Sequence, residues 1–281
     1  MRTCILGFVA LLVAGSSLGA AEPTRYVRFR AGDTTAYGIV EGKLVRQLDG
    51  NLFRDPQKTD KTFPLADVKL LVPTRPRQVL AMAANYRSHL KGEEIPEKFK
   101  IPQPFVKGTA CLVPHEAKIV LPKDSGPVHY EAELVVVIGK KARKVSKSEA
   151  ADYVFGVTCG NDVSERYWQN DEEHKDVQWW RAKGSDTFGP CGPWIVSGLD
   201  YGNLAVRLRL NGETRQEDRT SALIHDVPTM VSFISQYMTL YPGDLIFTGT
   251  PGKTDALKAG DTVEVEIDGI GTLRNTVVKA K

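Results

Sequence analysis

The chain has 281 residues, with 37 Lys and Arg against 34 Asp and Glu for a formal charge of +3. Apolar residues at 42% and charged residues at 25% are ordinary globular values, which argues against a disordered or fibrous chain. A charge so near zero, with no basic stripe interleaved with aromatics, argues against a nucleic-acid surface, and four cysteines are too few for a disulfide scaffold.

The first segment reads as a leader. Arg2 gives a short positive region, Ile5 to Ala14 an apolar run, and Gly19-Ala20-Ala21 a small-residue exit before Glu22. This pattern predicts a signal peptide over 1–21, export to the periplasm or medium, and no membrane association of the mature form. Cys4 precedes the apolar run, so it is not placed as a lipoprotein cysteine. Cys111, Cys159 and Cys191 form no CxxC pair and read as buried free thiols, with one bridge as the alternative.

Residues 22–72 read as a small N-terminal β-subdomain. Tyr26 to Arg30 alternates, Ala31-Gly32-Asp33 marks a turn, and Tyr37 to Val45 supplies two short runs about Glu41-Gly42. Val72-Pro73 and Arg75-Pro76 then break the chain, and 73–281 forms the main domain. A strand from His129 through Gly139 is expected there. Ser146 and Glu149 have the spacing of a capping box, which predicts a short helix through Tyr153. A second helix is expected from Pro228 to Leu240, with Val231, Ile234, Tyr237 and Met238 on one face. Leu245 to Thr248 reads as a strand, and 262–267 with 271–278 as a hairpin about Asp268-Gly269. Strands outnumber helices and no βαβ rhythm appears. The fold class expected is α+β and β-rich rather than a Rossmann sheet.

Two motifs fail on inspection. Gly249-Thr-Pro-Gly-Lys-Thr254 suggests a phosphate loop, but Phe247 stands where the first glycine belongs and Pro251 lacks a needed N–H. The basic run Lys140 to Lys144 reads as a solvated face.

The informative stretch is His129-Tyr-Glu-Ala-Glu133. Strand alternation puts Glu131 and Glu133 on one face with His129, at the entrance of an apolar strand. Two such charges there call for a cation or for donors. Asp162, after another apolar strand, offers a third oxygen. An all-carboxylate set suits Mg²⁺, Mn²⁺ or Ca²⁺; zinc becomes a contender if His129 joins. A solvated strand end is the plain alternative.

Six ordered motifs now carry a resemblance. They are Asn85-Tyr-Arg-Ser-His89, Tyr130-Glu-Ala-Glu-Leu134, Gly160-Asn-Asp-Val-Ser164, the run from Arg181 to Pro190, Leu210-Asn-Gly-Glu213, and Phe247-Thr-Gly-Thr-Pro251. Together they resemble the fumarylacetoacetate hydrolase family over residues 75–281. The resemblance implies a mixed β-roll with a small N-terminal part, assembled as a homodimer. It implies Glu131, Glu133 and Asp162 as ligands of a divalent metal, usually Mg²⁺. It further implies Lys183 as the active-site lysine, Arg166 and Gln169 as substrate contacts, and Thr250 on a loop that approaches the substrate carboxylate. Asn85 and Tyr86 would shape the hinge of a lid.

His89 falls where family hydrolases place a lid histidine that serves as general base. Their orienting acid lies three residues on, which here is Gly92, with Glu93 and Glu94 following. In a helical segment His89 and Glu93 would pair at i,i+4, although Gly92 and Pro96 limit any such helix. The activity implied is C–C hydrolysis of a 2,4-dioxo acid such as an acylpyruvate, giving pyruvate and a carboxylic acid. The metal would chelate the carboxylate and 2-oxo oxygen, His89 would activate water, and Lys183 with Gln169 would balance oxyanion charge. The alternatives are isomerisation of a 2-hydroxyhepta-2,4-diene-1,7-dioate, decarboxylation of an oxaloacetate-type diacid, and non-catalytic binding of a small diacid.

Overall fold

The run Leu134-Val-Val-Val-Ile138 is apolar at every position because both faces of its strand, Ala132–Ile138, are buried. The structure, a computed structural model, describes residues 22–90 and 94–281; the expected leader over 1–21 and Glu93 lie outside the described residues. Leu134, Val136 and Ile138 join Val206, Leu208, Val265 and Ile267 in the main core, together with Met230, Val231 and Ile234. On the other face, Val135 and Val137 cluster with Val79, Ala81, Leu245 and Phe247. Each such side chain contributes about 1.5–3 kcal/mol through burial, so a charge at any of them would disrupt the sheet.

The principal sheet is twelve-stranded and mixed. Its main path runs through strands 57–64, 44–49, 34–41, 24–31, 189–197, 154–161, 132–138, 245–247, 79–82 and 104–107. The N-terminal strands thus extend the same sheet: Thr24 to Tyr26 pair antiparallel with Ser197 to Ile195. A five-stranded sheet, in the order 213–219, 205–210, 262–267, 271–279 and 118–121, packs its apolar residues into the main core. Its hairpin turns at Asp268-Gly269, with Ile267 opposite Gly271 and Gly269 at a φ of 74°. The architecture is the strand-rich α+β class, as expected.

Helices are few. Val227–Tyr237 is capped by Asp226, whose side chain accepts from the Thr229 N–H at 2.8 Å, with Pro228 in the first turn. It ends three residues before the expected Leu240. Leu240 instead bridges Ala142, which draws the chain out of the helix, and Met238 is already extended. Tyr237 is 78% exposed, so the buried face is Val227, Met230, Val231 and Ile234. At the other expected helix, Glu149 reaches back to the Ser146 N–H at 3.3 Å, but only a 3₁₀ turn forms, over Ala150–Tyr153. Val154 then enters its strand and stops it. Cys111, Cys159 and Cys191 are buried and unbridged, and burial pushes their thiols up. No helix among the described residues is long and apolar enough to cross a membrane.

Candidate active site

Three carboxylates separated in sequence meet because two strands end together. Ala132–Ile138 and Val154–Asn161 are antiparallel neighbours, with Ala132 opposite Asn161 and Glu133 opposite Gly160. Beyond that register the Asp162 N–H donates to the Glu131 carbonyl at 2.9 Å, while the Asn161 side chain accepts from the Glu131 N–H at 2.8 Å. One oxygen from each of Glu131, Glu133 and Asp162 lies within 4.8 Å of the others, and all three residues are buried. Gly160 is required there, since a Cβ would come within 2.4 Å of Val135 and 2.5 Å of Phe247.

Cations surround the cluster. Lys183 Nζ lies 2.7 Å from Glu131 Oε2 and 2.7 Å from Asp162 Oδ2. Arg166 donates to Glu131 Oε1 at 2.6 Å, to Thr254 Oγ1 at 2.9 Å and to Gln169 Oε1 at 2.6 Å. Arg166 and Gln169 share one face of the short helix Arg166–Asn170, which Glu165 caps by accepting from the Trp168 N–H. Lys183 sits on a second short helix, Trp180–Gly184.

The carboxylates are not equivalent. Burial opposes ionisation of Glu131, but Lys183, Arg166 and His89 outweigh it and hold its carboxyl well below the usual range. Glu133 makes no ion pair among the described residues, and Lys183 acts on it only weakly. Burial and then the charges of Asp162 and Glu131 push it well above the usual carboxylate range, against the Gly249 N–H that donates to Oε2 at 2.6 Å. Hard oxygen donors, buried and crowded together, fit a divalent cation of the Mg²⁺ or Mn²⁺ kind.

The loop Gly249–Pro251 closes another side. Gly249 has a φ of 103°, and a Cβ on it would meet Asn85 Cβ at 2.8 Å. Thr250 is buried, and its hydroxyl accepts from Gln216 Nε2 at 2.9 Å. Gln216 also accepts from the Ala132 N–H at 3.0 Å, so it ties this loop to the Glu133 strand.

His89 faces the same cluster. Its Nδ1 stands 2.6 Å from the carbonyl oxygen of Gly252, and its Nε2 stands 3.9 Å from Glu131 Oε1. A carbonyl can only accept, so Nδ1 carries the proton, and in the neutral ring it is Nε2 that presents a lone pair toward the cluster. His89, Glu131, Arg166, Gln169, Lys183 and Thr250 line one chamber of about 240 Å³. Phe99, Phe105 and Trp179 form its apolar wall, with Phe105 and Trp179 packed edge to face at 5.3 Å. A larger hollow of about 530 Å³ beside Trp194 contains no comparable cluster; its titratable residues are Lys69, His115 and Glu116.

The structure therefore brings Glu131, Glu133, Asp162, Lys183, Arg166, Gln169, Thr250 and His89 to one place. Two conditional readings are not realised among the described residues. The helical pairing of His89 with Glu93 lacks its helix: the turn Arg87–His89 is 3₁₀ and Leu90 is extended (φ −76°, ψ 146°). Glu93 itself lies outside the described residues, and Glu94 is exposed. His129 does not join the carboxylates. The strand breaks at Tyr130 and Glu131, and the His129 ring turns to the Thr254 hydroxyl at 3.0 Å.

Sequence reasoning missed Lys107, Asn161, Gln216, Trp179 and Thr254. Lys107 Nζ lies 2.5 Å from Asp162 Oδ1. Burial opposes its charge, but Asp162, with smaller contributions from Cys111 and Glu133, outweighs burial and holds its pKa above the usual lysine value. A lone lysine 55 residues before Asp162 carries no spacing signal. Gln216, the single buried side chain in the strand Glu213–Arg219, carries none either, because that strand is polar at every position.

Comparison with known proteins shows the family. Residues 78–278 match the model of the fumarylacetoacetate (FAA) hydrolase C-terminal family, and residues 24–73 match that of the Rv2993c-like N-terminal family. A 2-hydroxyhepta-2,4-diene-1,7-dioate isomerase from Mycobacterium marinum is 41% identical, with a TM-score of 0.82 over 91% of this chain and 98% of its own. The mitochondrial oxaloacetate tautomerase FAHD2A of Bos taurus is 35% identical over 93% of this chain and 83% of its own. A maleylpyruvate hydrolase from Sphingobium sp. SYK-6, solved with manganese(II) and pyruvate, is 29% identical. Its TM-score is 0.74 over 92% of this chain and 100% of its own. With its carboxylate cluster, its Thr-Gly-Thr loop and a match covering most of its length, this chain belongs to the fumarylacetoacetate hydrolase family.

Proposed function

We propose that the protein transfers a proton on a small enolisable 2-oxo acid, interconverting its keto and enol forms with the aid of a divalent cation. The observation that carries this reading is the orientation of His89. The Gly252 carbonyl fixes its tautomer, and the free Nε2 lies beside the carboxylate cluster. A chamber of about 240 Å³ suits a small acid, being below the roughly 300–1,000 Å³ typical of sites for larger ligands.

Glu131, Glu133 and Asp162 would hold the cation, which would supply Lewis-acid polarisation of a 2-oxo oxygen. Arg166, Gln169 and Thr250 provide donors along the chamber wall for a substrate carboxylate. Lys183 places an ammonium where negative charge develops on the oxygen as the C–H bond breaks. His89 Nε2 accepts the carbon-bound proton and, as imidazolium, returns it to the oxygen, so the substrate is isomerised with no net loss of atoms. The apolar wall of Phe99, Phe105 and Trp179 limits water at that step.

Similarity to the isomerase and the tautomerase, at 41% and 35% identity, supports proton transfer over hydrolysis. C–C hydrolysis of a 2,4-dioxo acid is the second reading, favoured by the likeness to the maleylpyruvate hydrolase solved with manganese and pyruvate. In that case His89 would take its proton from water rather than carbon.

The test is a paired assay on the Mn²⁺-loaded protein. Solvent deuterium entry into C3 of oxaloacetate and decay of the enol absorbance report proton transfer; pyruvate release from acylpyruvates reports hydrolysis. The proposal expects fast exchange without carbon–carbon cleavage. Pyruvate release as the dominant outcome would move the assignment to hydrolysis. A ligand-induced thermal shift with neither activity would make the protein a binder. Export with cleavage after Ala21, and assembly as a homodimer, belong to the same proposal. Intact mass from the native host and sedimentation velocity test them.

A further inference from the structure

We propose that Lys107 is a positioning residue: it holds Asp162 against the segment carrying Lys183, so that a single Asp162 oxygen faces the cation site. This rests on the reading of the three carboxylates as that site.

The two lysines that touch Asp162 differ in what they have left to give. Lys183 uses two of its three N–H groups on Glu131 Oε2 and Asp162 Oδ2, and it lines the chamber. Lys107 is fully buried behind them, with 0% of its side chain exposed. Its ammonium meets Asp162 Oδ1 at 2.5 Å, the Lys183 carbonyl, and the Phe188 carbonyl at 3.3 Å. Three donors and three acceptors leave nothing for a substrate, so Lys107 cannot act on one.

Those acceptors belong to three separate pieces of chain. Asp162 follows the strand Val154–Asn161, Lys183 lies on the helix Trp180–Gly184, and Phe188 precedes the strand Gly189–Ser197. Lys107 itself ends the strand Pro104–Lys107. A buried ammonium is costly unless it is fully paired. Here it satisfies two main-chain carbonyls and one carboxylate oxygen that would otherwise be left with no donor at this point. The outcome is a division of labour within one carboxylate: Oδ1 is committed to Lys107, and Oδ2 meets Lys183, the lysine that lines the chamber. Carboxylate ligands held by such outer partners typically lose about ten- to a hundredfold in metal affinity when the partner is removed.

Two substitutions test this. Lys107→Met keeps the aliphatic stem and removes every donor, whereas Lys107→Gln keeps two N–H groups. Mn²⁺ affinity per folded chain is read by titration calorimetry, and kcat and KM are measured at saturating Mn²⁺. For Lys107→Met the expected result is an affinity loss of about ten- to a hundredfold. A fall in kcat should accompany it, with KM within about threefold of the parent, since no substrate contact is removed. Lys107→Gln should fall between the two, and it carries the comparison if the methionine variant does not fold. Both variants melting lower while the folded protein binds Mn²⁺ as the parent does would overturn the inference, because Lys107 would then only brace the fold. Tighter binding in Lys107→Met would overturn it too, since the ammonium would then merely repel the ion. A parent protein that binds no Mn²⁺ would overturn the site reading and this inference together.

Discussion

The Nδ1–H of His89 donates to the carbonyl of Gly252 across 2.6 Å, joining residues 163 positions apart. A main-chain carbonyl can fix the imidazole's tautomer as a carboxylate would, but it brings no negative charge to stabilise the imidazolium. The Gly252 N–H in turn donates to the Ser88 hydroxyl oxygen at 3.1 Å, so the turn holding His89 is tied at two points.

Removing that imidazole should remove turnover alone. His89→Gln is expected to lose on the order of 10²–10⁴ in kcat, the usual share of a general base. Mn²⁺ affinity by calorimetry should stay at the parent value, since His89 contributes no oxygen to the cluster. A variant with parental turnover would exclude His89 as the base.

Glutamine should be tolerated at one carboxylate and not at its neighbour. Burial and neighbouring carboxylates push the Glu133 carboxyl well above the usual range, so Glu133→Gln, which takes no ionised partner from a lysine or arginine, should cost far less stability than Glu131→Gln. Glu131→Gln takes the ionised partner from Lys183 and Arg166 and should cost on the order of 3 kcal/mol. Urea unfolding without metal separates the two. Both variants should lose Mn²⁺ binding.

The same asymmetry sets a pH dependence. Glu133, raised on folding, adds stability to the metal-free protein that is present below its unfolded pKa and lost as pH climbs through the folded one. Glu131, depressed on folding, adds stability present above its unfolded pKa and lost as pH falls below it. With the Glu133 carboxyl raised, cation and proton compete for it. Affinity should therefore rise with pH by up to about tenfold per unit through a window above the ordinary carboxylate range. Calorimetry of cation binding to the parent protein in two buffers of different ionisation enthalpy should show a released proton.

Gly160 should tolerate no side chain. The Cβ of Gly160→Ala would press on Val135 and Phe247, both packed in the sheet, and should cost about 1–3 kcal/mol through overpacking. Thermal unfolding measures that cost. Parental stability would mean that the sheet relaxes freely beside the carboxylates.

What the sequence disclosed follows from how local each feature is. The apolar run at Leu134 to Ile138 and the hairpin at Asp268-Gly269 are written in adjacent residues, and the structure places both where expected. Glu131 and Glu133 were legible as a pair, and the motif order brought in Asp162, Lys183 and His89. The helix end at Tyr237 was not legible, because the bridge between Leu240 and Ala142 decides it from across the fold. Lys107, Gln216 and the Gly252 carbonyl were hidden for the same reason. Each acquires its role only when sheet pairing closes gaps of 34 to 163 residues.

The shared sheet makes the two matched segments inseparable in practice. The backbone of Ile195 to Ser197 finds its partners in Tyr26 to Thr24. A chain cut before Pro73 would leave those groups as a raw edge next to the strand that leads to Asp162. Such an edge invites pairing with another chain. The shortened protein should precipitate or join with copies of itself, even though every residue of the candidate site would still be present.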